Sequence, residues 1–192
     1  MFYIRHRINT VKDLETVPFN MGIEIDIRYE GSKLILQHDP YKSGEYLEDL
    51  LKKYKHSFII LNVKTEGIED ETLRLINSYR VKDYFFLDLS FPAIIKLSKK
   101  GENNIAVRFS EYEPLEQALA LKNITKWVWI DCFNKMPLDS NSYEKLKNCF
   151  KLCIVSPELQ GYSTDRIKEF KNTLKNFKID AVCTKVPHLW ES

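Results

Sequence analysis

A chain of 192 residues with 44% hydrophobic and 29% charged side chains has the composition of a globular domain that one core can serve. The formal net charge of +2, with aromatic residues spread through apolar segments rather than interleaved with Lys and Arg, leaves no footprint for nucleic acid. No apolar run approaches the roughly 18 residues of a membrane span, and Met1 to Arg7 is too short and polar for a signal peptide. A single domain over residues 1–192 in the cytoplasm is therefore expected. Cys132, Cys149, Cys153 and Cys183 lack metal-like spacing, and three of them sit in or beside apolar strand patterns, as buried free thiols of a reducing compartment do.

In chain order, Tyr3 to Arg5 reads as a short strand delivering His6 and Arg7 to its C-terminal end. Thr10-Val11-Lys12-Asp13 has capping-box spacing and predicts a helix to about Val17. Gly22 to Pro40 then forms a β unit: Ile23, Ile25 and Ile27 alternate with Glu24, Asp26 and Arg28, so a strand throws the three polar side chains to one face. Glu30-Gly31 supplies a tight turn, and Lys33 to Gln37 returns as a second strand ending on His38-Asp39-Pro40. The hairpin thus carries His38 back towards the carboxylates.

Helical spacing of Leu47, Leu50, Leu51 and Tyr54 predicts a helix over 46–54. The continuous apolar run Phe58 to Val63 fits a strand buried on both faces. Helices over 70–79, 92–99, 114–121, 141–149 (capped by Asn141) and 164–177 then alternate with strands over 84–89, 105–109, 127–132, 152–155 and 181–184. Eight strands alternating with helices predict a parallel α/β fold, and the number argues for a compact (β/α)₈ TIM barrel with a small β-hairpin insertion after strand two. Such barrels run to about 250 residues, so short helices, trimmed loops and an open site are expected here.

His6-Arg7, then Glu24-x-Asp26 on one strand, then His38-Asp39 after a hairpin form an ordered set that resembles the glycerophosphodiester phosphodiesterase family, within the phosphatidylinositol-specific phospholipase C superfamily. Weaker matches at Leu61-Asn62-Val63-Lys64, Ser156-Pro157-Glu158 and Asp180 to Thr184 extend the resemblance over most of the chain. It favours the barrel over an open sheet. It implies hydrolysis of a glycerophosphodiester or related polyol-phosphate diester, with attack by the substrate's own neighbouring hydroxyl and a cyclic phosphate that water opens.

The residue types suit that chemistry. In a parallel barrel the C-terminal strand ends share one mouth, and here they carry Asp88, Arg108, Asp131, Glu158 and Lys185 besides the residues above. Glu24, Asp26 and Asn62 are the candidate ligands of a hard divalent cation, Mg²⁺ or Ca²⁺. His6 and His38 are the candidate acid and base, in an order the sequence leaves open. Arg7 and Lys64 would hold the phosphoryl group, Arg108 would bind substrate, and Asp39 would orient His38 or contact substrate.

Two departures from the family pattern stand out: Asn62 replaces a third acidic ligand, which Glu66 could restore from the loop, and Ile8 replaces a glycine. Arg28 could also neutralise Glu24 and Asp26 without any metal. A silent barrel that binds a phosphorylated sugar or glycerol headgroup is therefore the alternative to an enzyme. A metal-dependent lyase or aldolase lacks a lysine placed as a Schiff-base former.

Overall fold

The computed structural model describes residues 1–191, which fall into two compact units, Arg5–Asn103 and Met1–Ile4 with the chain from Asn104 onward. In chain order the first elements are β1 (Phe2–Arg5), α1 (Val11–Leu14), β2 (Gly22–Glu30), β3 (Lys33–Leu36), β4 (Glu45–Tyr46), α2 (Leu47–Lys53), β5 (Phe58–Val63), α3 (Glu69–Ser78), β6 (Tyr84–Leu87) and α4 (Phe91–Lys99). Then follow β7 (Ala106–Phe109), α5 (Leu115–Ala120), β8 (Trp127–Ile130), α6 (Ser140–Lys147), β9 (Lys151–Val155), a 3₁₀ turn at Pro157–Gln160, α7 (Arg166–Leu174), β10 (Ala181–Thr184) and α8 (His188–Glu191). Every predicted strand is present with its ends shifted by a residue or two.

In the unit from Arg5 to Asn103, β2, β5 and β6 run parallel, with Asp26 level with Asn62 and Asn62 level with Leu87. The hairpin β2–β3 is antiparallel, and Glu30 pairs with Lys33 across a two-residue turn whose Gly31 takes a φ of +61°, as a tight hairpin turn demands. β4, which the sequence did not announce, adds antiparallel to β3. Ile23, Ile25, Ile27, Ile59, Ile60, Leu61, Phe85 and Phe86 are wholly buried. Because β2 and β5 are covered on both faces, every polar group they carry inward needs a partner.

The other unit is a parallel run of β10, β9, β8 and β7, with β1 beside β10 and Phe2 N–H donating to Asp180 O at 2.9 Å. The alternation is that of an α/β fold, as expected. Neither unit's pairings by themselves close a barrel.

Capping explains where several helices depart from expectation. Thr10 does cap α1, accepting from Asp13 N–H at 3.0 Å, but the helix ends at Leu14, after which Thr16 and Val17 turn back on Asp13 and Leu14. Asn141 does not cap α6. Asp139 does: its Oδ1 accepts Ser142 N–H at 2.7 Å while its own N–H donates to Ser142 Oγ at 2.9 Å, a reciprocal box that starts the helix earlier. α7 is shorter than 164–177 at both ends, though Ile167, Phe170 and Leu174 form its buried stripe as predicted. Cys132, Cys153 and Cys183 are buried free thiols, and Cys149 is free and half-buried.

Candidate active site

Glu24 and Asp26 lie on the same face of β2 and are 0% and 1% exposed. Two carboxylates buried this close must be served by donors or cations to be tolerated. Glu24 takes the Arg7 backbone N–H on Oε2 at 2.7 Å and Asn62 Nδ2 on Oε1 at 2.8 Å, with His6 Nε2 3.7 Å from Oε2. Asp26 is held twice by Asn9, which donates Nδ2 to Oδ2 at 2.8 Å and accepts the Asp26 N–H on Oδ1 at 2.8 Å. Arg7 Nε stands 3.5 Å from Asp26 Oδ2 and Lys64 Nζ 3.7 Å from Oδ1. Burial, then the charge of Asp26, pushes the Glu24 carboxyl well above the usual carboxylate range, against the pull of the Asn62 and Arg7 donors.

The loops that bring these partners are conformationally demanding. Arg7, Tyr41 and Asp88 all have φ between 56° and 60°, in the left-handed region that non-glycine residues rarely occupy. At Arg7 this bend aims the backbone N–H at Glu24, and the neighbouring Ile8 packs into the core with its N–H on Glu24 O. The strained position is thus residue 7, and Ile8 needs no glycine conformation.

His38 sits on the loop beyond β3 with its Nδ1 2.9 Å from Asp39 Oδ1, while Lys42 donates to Asp39 Oδ2 at 2.7 Å. The loop is closed by Gln37 donating to Ser43 O and by Gly44, where a Cβ would stand 2.2 Å from Leu36 O. Only glycine fits that approach. The hydrogen bonds from His38 and then Lys42 hold the Asp39 carboxyl down at about 2, from a usual 3.8. A depressed folded value means that the interaction is present above the usual value and is lost as pH falls through about 2. An NMR titration should find the Asp39 midpoint near 2, moving up in His38→Ala. A midpoint already at the usual value in the native protein would contradict the pairing.

Among the other predicted residues, Lys64 donates to Asp88 Oδ2 at 2.7 Å. Arg28 does not neutralise Glu24 and Asp26: its Nε and Nη2 donate to His38 O at 3.1 and 2.8 Å, and its Nη1 to Lys64 O at 2.8 Å. Glu66 does not reach back to restore the missing charge either, because it accepts from Ser90, the N-cap of α4. Arg108 belongs to the other unit, where its Nη1 meets Asp131 Oδ2 at 2.5 Å. Asp131 there also accepts from Trp129, Gln160 and the Cys132 N–H, and Glu158 accepts from Ser156, Thr184 and the Lys185 N–H.

Sequence reasoning missed Asn9, whose only local signal was its place beside a helix cap, and gave Asp88 no role beyond its position at a strand end. Asn9 bonds Asp26 across a separation of 17 residues, which no local pattern encodes.

Among the described residues, no three His, Cys, Asp or Glu side chains are grouped to hold a metal ion. The donors present are two carboxylates and an amide. Asn62 Oδ1 is buried and accepts no hydrogen bond among the described residues. Together with Glu24 and Asp26 it offers hard oxygens of the kind Mg²⁺ and Ca²⁺ take, so the chemistry of the set fits such a cation with one charge fewer than three carboxylates would give. No described helix is long and apolar enough to cross a membrane.

No family model matches the sequence, and no curated protein does. Solved structures do match. A glycerophosphodiester phosphodiesterase from Agrobacterium tumefaciens aligns over 100% of both chains with a TM-score of 0.74 at 12% identity. A glycerophosphoryl diester phosphodiesterase from Parabacteroides distasonis covers 99% of this chain and 86% of its own, with a TM-score of 0.68 at 13% identity. A mutant tryptophan synthase alpha-subunit from Pyrococcus furiosus covers 95% of this chain and 85% of its own, with a TM-score of 0.62 at 14% identity. The fold is thus one found in glycerophosphodiester phosphodiesterases and in tryptophan synthase alpha-subunits.

Proposed function

We propose that this chain is a divergent phosphodiester hydrolase with the fold closed as a (β/α)₈ barrel, acting on a glycerophosphodiester or related polyol-phosphate diester. The observation that carries the reading is the placement of His6, Arg7 and Lys64 around the two buried carboxylates Glu24 and Asp26. Likeness of fold to glycerophosphodiester phosphodiesterases supports it.

Glu24, Asp26 and Asn62 would hold a divalent cation, which when bound neutralises phosphoryl oxygens. Arg7 and Lys64 place two further positive charges at the same carboxylates, where a phosphoryl group could exchange for them. Asp39, accepting from His38 Nδ1, holds the ring so that Nε2 of the neutral imidazole carries the free lone pair, the state a general base needs. His6 Nε2, beside Glu24, is the second proton-transfer group. The reaction would run in the cytoplasm.

The test is hydrolysis by the purified protein of a panel of glycerophosphodiesters and a chromogenic diester, with Mg²⁺, with Ca²⁺ and with chelator. Release of a phosphomonoester that needs a divalent ion and stops on chelation is the expected result. A second reading, a headgroup-binding barrel without turnover, is favoured by one feature: Asn62 already donates to Glu24 where a third acid would bind metal. Headgroup binding by calorimetry with no turnover under any metal would establish that reading instead.

A further inference from the structure

We infer that Asp88 is a positioning residue that keeps the cation site acidic, by drawing the Lys64 ammonium off Asp26 in a chain whose β5 carries Asn62 in place of an acid. The inference rests on the reading of Glu24, Asp26 and Asn62 as cation ligands.

Lys64 stands between two carboxylates and is shared unequally. Its Nζ makes a direct hydrogen bond to Asp88 Oδ2 at 2.7 Å but stays 3.7 Å from Asp26 Oδ1. The side chains of Lys64 and Asp88 are 18% and 20% exposed and that of Asp26 2%, so the stronger contact is the wetter one. A buried carboxylate would ordinarily win the direct bond, because Coulomb attraction is least screened there. Asp88 prevents it. The register explains how it can: Asn62 is level with Leu87 on β6, so Asp88 leaves the sheet one residue beyond the level of Asn62, on the adjoining strand. Its φ of +60° is one that aspartate tolerates better than most residues but still adopts at a cost, a conformation that persists where surrounding structure demands it.

Charge counting shows what this achieves. With Glu24 ionised, Glu24 and Asp26 are balanced by Arg7 and Lys64, and a divalent cation entering that set would meet no net attraction. Asp88 acts on this set through the lysine, which it engages directly at 2.7 Å and so holds off Asp26. From its place just beyond β6 it leaves Asp26 Oδ1 without a direct bond from Lys64.

Calorimetric titration of Mg²⁺ and Ca²⁺ into wild type, Asp88→Asn, Lys64→Met and the double variant tests this, with circular dichroism confirming the fold of each. Asp88→Asn should weaken binding about tenfold or more, the usual cost of losing an outer-shell partner. In the Lys64→Met background the same substitution should change little. An equal loss in both backgrounds would overturn the inference, since Asp88 would then act as a ligand in its own right. Equal affinity of wild type and Asp88→Asn would overturn it too. Wild type that binds neither ion sinks the ligand assignment instead, and a crystal structure of metal-free Asp88→Asn then decides on geometry alone. Lys64 Nζ should close on Asp26 Oδ1 to about 2.8 Å; a lysine that keeps its present distance would refute the positioning role.

Discussion

Replacing His38 by alanine is expected to lower phosphodiester hydrolysis by about a hundred- to ten-thousandfold, the range over which a positioned general acid or base acts. Stability should hardly move. The His38 side chain is 40% exposed, and its side-chain partner Asp39 keeps Lys42. The contrast is with His56, which is 7% exposed and donates Nε2–H to Val17 O at 2.9 Å between the rings of Phe19 and Tyr54. His56→Ala should therefore lower the urea midpoint and leave the rate per folded molecule alone. Initial rates and denaturation curves on the two variants read both effects. Undiminished turnover in His38→Ala would remove it from the chemistry.

Asp26→Asn is the second substitution from which a large loss is expected. The shape of the side chain is kept and its charge removed, so Arg7 and Lys64 lose their shared anion and the proposed cation site keeps one carboxylate. Divalent affinity should fall by more than about a hundredfold, beyond the tenfold to hundredfold that outer-shell changes cost, and kcat/KM should fall with it. Asn9→Ala, which removes the two hydrogen bonds that orient Asp26 but no charge, should show the smaller, outer-shell loss. Equal affinities in wild type and Asp26→Asn would mean that the carboxylate is structural.

Much of this arrangement could be read from the chain because it is written locally. Alternation of isoleucines with Glu24, Asp26 and Arg28 fixes which side chains share a face, and Gly31 fixes the hairpin that returns His38. The continuous apolar run of β5 announces burial on both sides, and the Thr10 cap announces α1. What escaped is what contact at a distance decides. Arg28 has the right face and charge to neutralise the carboxylates, but two backbone carbonyls on different segments claim its guanidinium first. Glu66 has the right spacing to reach back along its strand, but the N-cap of α4 holds it. Asn141 has the chemistry of a cap, but Asp139 reaches the same helix end with a reciprocal partner in Ser142. In each case sequence gives a side chain's capacity, and the competing partner comes from elsewhere in the chain.

The Arg28 clamp has a mechanical consequence. One rigid planar group grips His38 O, just past the end of β3, and Lys64 O, just past the end of β5. A lysine at this position would have a single ammonium and could not brace both segments in a fixed plane. The open end of the hairpin, opposite the Gly31 turn, is tied to the C-terminal end of β5 by the Arg28 side chain from β2. The spacing of the His38 loop and the Lys64 strand end is consequently set by the reach of one guanidinium, independently of the outer loop that carries the fully exposed Tyr41.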